Sequence, residues 1–137
     1  MDLNQVYEKV NKSGIDIFLH NYNCIKAVTI EVDKNYAIFI NKNLIEDSDD
    51  EFCVLTHEYG HCKSGSTHKL HSKYDLICRH EYRANRKAIL DFLPIERIEE
   101  AIDYGCKTPY EFSVYLDVPE RFVKTAIEHY NAMGLMN

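Results

Sequence analysis

Between residues 25 and 41 the apolar positions are dense and β-branched. Ile25-Lys26-Ala27-Val28-Thr29-Ile30-Glu31-Val32 predicts a strand, Asp33-Lys34-Asn35 supplies turn chemistry, and Tyr36-Ala37-Ile38-Phe39-Ile40-Asn41 predicts a second strand as its hairpin partner. A short helix is predicted ahead of them over residues 2–12. From residue 48 the period changes. Ser48 and Glu51 have the spacing of a capping box, and Phe52, Leu55, Tyr59 and Cys62 follow as one helical stripe that Gly65 can end. Residues 64–74 are polar and predict a loop, with a second helix from about Asp75 or Leu76 to Leu93. Pro94 can be the first residue of a third helix ending near Gly105. Thr108-Pro109-Tyr110-Glu111 joins an N-cap, a Pro at the first helical position and a Glu at the third. Pro119 opens a last helix that runs to about Gly134.

A β hairpin followed by mostly helix predicts an α+β fold. No repeat or linker-like stretch divides the chain, so one domain over residues 1–137 is expected. It comprises an N-terminal helix and strands (1–47), a helix pair (48–93) and C-terminal helices (94–137). Five glycines, three prolines and 45% hydrophobic residues exclude the collagen-like, low-complexity and disordered classes. The balance of 16 Lys+Arg against 22 Asp+Glu gives a net charge of −6, the wrong sign for a generic binder of nucleic acid or of an anionic membrane. Met1 to Lys9 has no apolar core of a signal peptide, and no apolar run approaches the ~20 residues that span a bilayer. A soluble, cytoplasmic protein is expected. Cys24, Cys53, Cys62, Cys78 and Cys106 are an odd, scattered set, expected to be reduced and in or near the core.

The sharpest chemical signal is His57-Glu58-Tyr59-Gly60-His61, an H-E-x-x-H on a predicted helix. Residues four apart lie about 40° from each other around a helix, so both imidazoles project from one face and can hold one small cation. Glu58 is turned about 100° from His57 and about 60° from His61, where it can flank the ion and hold its water. The apolar stripe lies on roughly the opposite side, so the helix can dock on the core while its histidines face a cleft. A catalytic zinc site needs a third protein ligand and an open fourth position. Glu81, 20 residues after His61 in the next predicted helix, is the candidate, and Asn85 shares its face. Asn85 can accept from a ligand histidine and fix its tautomer. An ordinary polar helix face would look the same. Ala84, Ala88 and Phe92 continue the face, and small alanines let this helix pack close to the first. Gly60 inside a helix costs about 1 kcal/mol relative to Ala, which a close approach by a neighbouring chain would justify. His80 points away from Glu81, and His20 and His129 are expected at the surface or the core edge.

His57-Glu58-Tyr59-Gly60-His61 resembles the H-E-L-G-H of the ImmA/IrrE family of bacterial metallopeptidases. Glu81-Tyr82-Arg83-Ala84-Asn85 is similar to that family's E-x-x-A-N, and Asn85 precedes Pro94 by nine residues, as in the family's closing L-L-M-P segment. Tyr59 stands in place of the usual Leu, and Arg83 where an acidic residue or Gln is frequent. The resemblance covers roughly residues 15–130. It implies a minimal gluzincin-like fold with one Zn²⁺, with His57, His61 and Glu81 as ligands and Glu58 as base. Its members commonly act on DNA-binding repressors encoded beside them in phages and mobile elements. The implied activity is that of a zinc-dependent endopeptidase acting as an anti-repressor, with a helix-turn-helix repressor as protein substrate.

In such chemistry a further oxyanion donor is usual, and His71, Tyr74 and His68 in the polar loop are the candidates. The Tyr36–Asn41 strand is expected to present a free edge to an extended peptide. Three rival readings stand beside the peptidase. One is a metal-containing protein that binds a repressor without turnover. Another is a helix-turn-helix DNA-binding module over residues 108–130. Against it, residues 94–137 carry eight acidic and four basic residues, so direct nucleic-acid binding is not expected. The third is a structural zinc site with Cys62 or Cys78 as fourth ligand.

Overall fold

The computed structural model describes residues 1–21, 25–65 and 74–135, with only the backbone of 74–78. Its elements run α1 (Leu3–Lys12), β1 (Asp16–Leu19), β2 (Ala27–Val32), β3 (Asn35–Ile40), α2 (Ser48–Ser64), α3 (Tyr74–Phe92), α4 (Ile95–Tyr104), α5 (Pro109–Leu116) and α6 (Glu120–Ala132). The fold is α+β, as the periodicities predict. Among the described residues no helix is long and apolar enough to cross a membrane.

The hairpin forms as expected. β2 pairs antiparallel with β3 from Ala27↔Ile40 to Val32↔Asn35. Asp33 and Lys34 take positive φ values of 50° and 66° at the turn, as a two-residue hairpin with the strands' own twist requires. One strand was not foreseen. The short β1 pairs parallel with β3, so the sheet is mixed and its order is β1-β3-β2. The expectation of a free edge on Tyr36–Asn41 is therefore wrong: β3 is the central strand, and β2 is an edge. β1 escaped notice because four residues are too short to show alternation.

Alternation places Ile38 and Ile40 on the covered face, both fully buried, while Val28, Ile30 and Val32 lie on the open face with Phe18 stacked on Phe39 at 5.3 Å. The covered face meets Val6 and Val10 of α1 and the Phe52/Leu55/Tyr59/Cys62 stripe of α2 in one core. Phe52 is a hub, with its ring 6.4 Å from that of Phe92 on α3 and 5.1 Å from that of Phe122 on α6. Tyr59 is buried, but its hydroxyl is not orphaned: it donates to Asp91 Oδ2 at 2.6 Å, which ties α2 to the end of α3. Tyr130 of α6 donates to the Leu93 carbonyl at 2.9 Å and anchors the C-terminal helices to the same point.

The helix ends follow local chemistry, with shifts of one residue. The N-cap of α2 is Asp47, which accepts from Asp50 N–H at 2.8 Å, rather than Ser48; the carboxylate out-competes the neighbouring hydroxyl. Pro94 and Pro119 are the N-caps of α4 and α6 rather than their first residues. Thr108 caps α5 as read, and Gly65 ends α2 at φ 66°.

α2 and α3 approach very closely. A Cβ built on Gly60 would stand 1.9 Å from the Ala84 carbonyl oxygen, and Ala84 and Ala88 are buried in the same interface. Backbone is the obstacle, and it cannot swing aside like a flexible side chain. Gly60→Ala should therefore destabilise the fold by about 3 kcal/mol or more despite alanine's better helix propensity, read as a lowered urea midpoint.

Asp50, buried at the start of α2, accepts from Glu46 N–H at 3.1 Å and lies 3.0 Å from Lys26 Nζ and 3.5 Å from Arg121. The backbone donation, joined by the two cations, outweighs burial and holds its carboxyl below the usual range. A carboxyl depressed in the folded state stabilises above its unfolded pKa and loses that contribution as pH falls through the folded value. Asp50→Asn should lower the urea midpoint at neutral pH, and the gap to the unsubstituted protein should close below about pH 4.

Candidate metal centre

His57 and His61 stand one turn apart on α2, and Glu81 faces them from α3. Gly60 sits between the two histidines and Ala84 between Glu81 and Asn85, so the tight contact of the two helices lies in the middle of the set. His57 Nε2 is 2.8 Å from Glu81 Oε2, His61 Nε2 is 3.1 Å from Glu81 Oε1, and the two Nε2 atoms are 3.2 Å apart. One ligating atom from each of the three residues lies within 4.8 Å of the others, and among the described residues no further metal-binding group of this kind occurs.

Asn85 sets the chemistry of the first ligand. Its Oδ1 is 2.8 Å from His57 Nδ1. An amide oxygen only accepts, so Nδ1–H donates to it, and Nε2 is the ring nitrogen turned towards Glu81 and His61. At this distance a proton or a bound cation must lie between Nε2 and the carboxylate. The donor set fits a small divalent cation: with bonds of ~2.0–2.1 Å the edge of a tetrahedron is about 3.3 Å, close to the separations found. The side chain of His61 is buried, whereas those of His57 and Glu81 are partly open, so one side of the group can receive a further ligand.

Glu58 stays out of the triad. It lines a cleft of about 190 Å³ with His57, His61, Glu81 and residues Ala27–Thr29 of β2. Thr29 Oγ1 donates to Glu58 Oε2 at 2.5 Å, so one carboxylate oxygen is held and the other is left to act. Thr29 was not singled out from the sequence. Its inward register opposite Ile38 was there to be read, but nothing in the pattern said that a carboxylate on another element would meet it. Cys62 faces Thr29 from the core side, and burial pushes its thiol up to about 12; it is a packing residue and not a member of the metal group.

The remaining candidates divide plainly. His68 and His71 lie outside the described residues, as do the side chains of Tyr74 and Cys78 and the whole of Cys24. Cys53, Cys62 and Cys106 are free thiols, half-buried or buried as expected. His129 lies at the edge of the core, its ring 5.5 Å from that of Tyr82, and burial lowers its pKa. The helix-turn-helix phrasing exists as α5 and α6, but Arg121 reaches Asp50 and Lys124 reaches Glu120, so both cations of the second helix have acidic partners.

Compared with protein-family profiles, with curated proteins and with solved structures, the chain matches none.

The ligand set and its support separate experimentally. His61→Ala or Glu81→Ala should abolish stoichiometric metal uptake, whereas Asn85→Ala should weaken it by about 10- to 100-fold, measured by competition with a chromophoric chelator.

Proposed function

We propose that the chain is a zinc-dependent endopeptidase whose substrate is a protein, and that the substrate is a co-encoded helix-turn-helix repressor of a phage or mobile element. The observation that carries the reading is the joint arrangement of His57, His61 and Glu81 with Glu58 held beside them by Thr29. The choice of repressor rests on the motif resemblance alone. A His₂Glu set favours Zn²⁺ over the harder cations.

Bound there with an open position, zinc supplies an acidified water and polarises a carbonyl. The protein's own residues do the rest. Glu58 takes the proton of the attacking water on its unheld carboxylate oxygen and returns it to the leaving amine nitrogen. Asn85 keeps His57 in the tautomer that leaves Nε2 free. β2 supports an extended substrate backbone, because it is an edge strand of the sheet among the described residues and its Ala27–Thr29 segment lines the cleft.

The test is to incubate zinc-loaded protein with the repressor encoded beside it. A discrete fragment should form and should vanish with a chelator. Glu58→Gln should keep its zinc and lose cleavage by about 10²- to 10⁴-fold. If repressor inactivation survives that substitution undiminished, the protein binds its partner without cutting it. Zinc occupancy should also fall below neutral pH, since His57 and His61 must be neutral to ligate; atomic absorption after equilibration at each pH reads this directly.

A further inference from the structure

A larger groove of about 550 Å³ opens beside the metal centre. It shares Ala27, His57 and Glu58 with the small cleft, so the two adjoin. Its walls come from four directions: Ile25 and Ala27 beside or on β2, Val54 on α2, Ala88 and Ile89 on α3, and Phe122 on α6. Two of these lining residues, Ala27 and Ala88, are small. The charges near its far end are matched rather than free: Lys26 lies 3.0 Å and Arg121 3.5 Å from the single buried carboxylate of Asp50. A volume of this order is that of a small-molecule pocket, and a mainly apolar lining, whose charges are the ion-paired Lys26, Asp50 and Arg121 and Glu58 beside the metal group, favours an apolar occupant.

We infer that this groove seats a large apolar side chain, aromatic or long aliphatic, of the substrate residue adjoining the bond to be cut. The inference rests on the endopeptidase reading of the metal centre and adds the substrate class. It also gives α6 a function: its Phe122 and Thr125 line the groove, so this helix would set specificity as well as packing.

The probes are hydroxamic acids, which ligate zinc and carry one side chain into whatever space adjoins it. Acetohydroxamic acid, 3-phenylpropanohydroxamic acid and succinic monohydroxamic acid are titrated against the zinc-loaded full chain by calorimetry. The phenyl compound should bind about 10- to 100-fold more tightly than acetohydroxamic acid, the gain expected for burying one aromatic ring. Val54→Phe, which fills the groove from α2, should collapse that ratio towards one. Thr125→Trp, at an exposed position on α6, should do the same if Val54→Phe fails to fold. Equal binding of the phenyl and acetyl compounds overturns the inference. So does tighter binding of the succinic compound, which would assign a polar occupant. Failure of all three to bind would instead remove the metal-centre reading, and the groove assignment with it.

Discussion

The site depends on one contact between backbones. Gly60 on α2 lies against the carbonyl of Ala84 on α3 with no room for a single added carbon. Every residue of the metal group is within four positions of that contact. His57 and His61 flank Gly60, and Glu81 and Asn85 flank Ala84. Holding the helices this close allows a short glutamate to reach both imidazoles and an asparagine to reach the far side of one ring. Side chains of ordinary size at the contact would move the helices apart by more than the latitude of a coordination bond.

The polar interior serves the same pair of helices. Tyr59 of α2 donates to Asp91 of α3, and Lys87 approaches the other oxygen of that carboxylate at 3.2 Å. Burial and the Asp91 carboxylate raise the Tyr59 phenol, so it stays a donor throughout the working pH range. Asp50 performs the corresponding task at the other end of α2, where it draws Lys26 from beside β2 and Arg121 from α6 on to one helix. The helix that bears the histidines is thus fixed in its first turn and again past its middle by groups that are themselves satisfied.

Much of this was legible. The H-E-x-x-H spacing, the Ala84/Ala88 face and the Asn85 position each translate directly into helix geometry, and the structure places all of them as read. Gly60 was legible as an oddity whose cause needed a neighbour. What escaped was whatever depends on register between distant segments. β1 is four residues long and is recruited by β3 through parallel pairing, which no local signal encodes. Its addition turned Tyr36–Asn41 from an edge into the centre of the sheet. The partnership of Thr29 with Glu58 joins residues 29 positions apart and arises only when the strand crosses the helix. The groove is of the same kind: its walls are unremarkable residues until four elements meet.

The hydroxyl of Thr29 has one more implication. The strand at the edge of the described sheet is also the strand that grips the carboxylate of Glu58. Under the proposed function, docking on that edge and proton transfer by Glu58 would be mechanically joined through Thr29. A ligand that tugged the rim outward would loosen the base, and one that seated flush would tighten it, so the alignment of the proton acceptor would report how well the incoming chain fits.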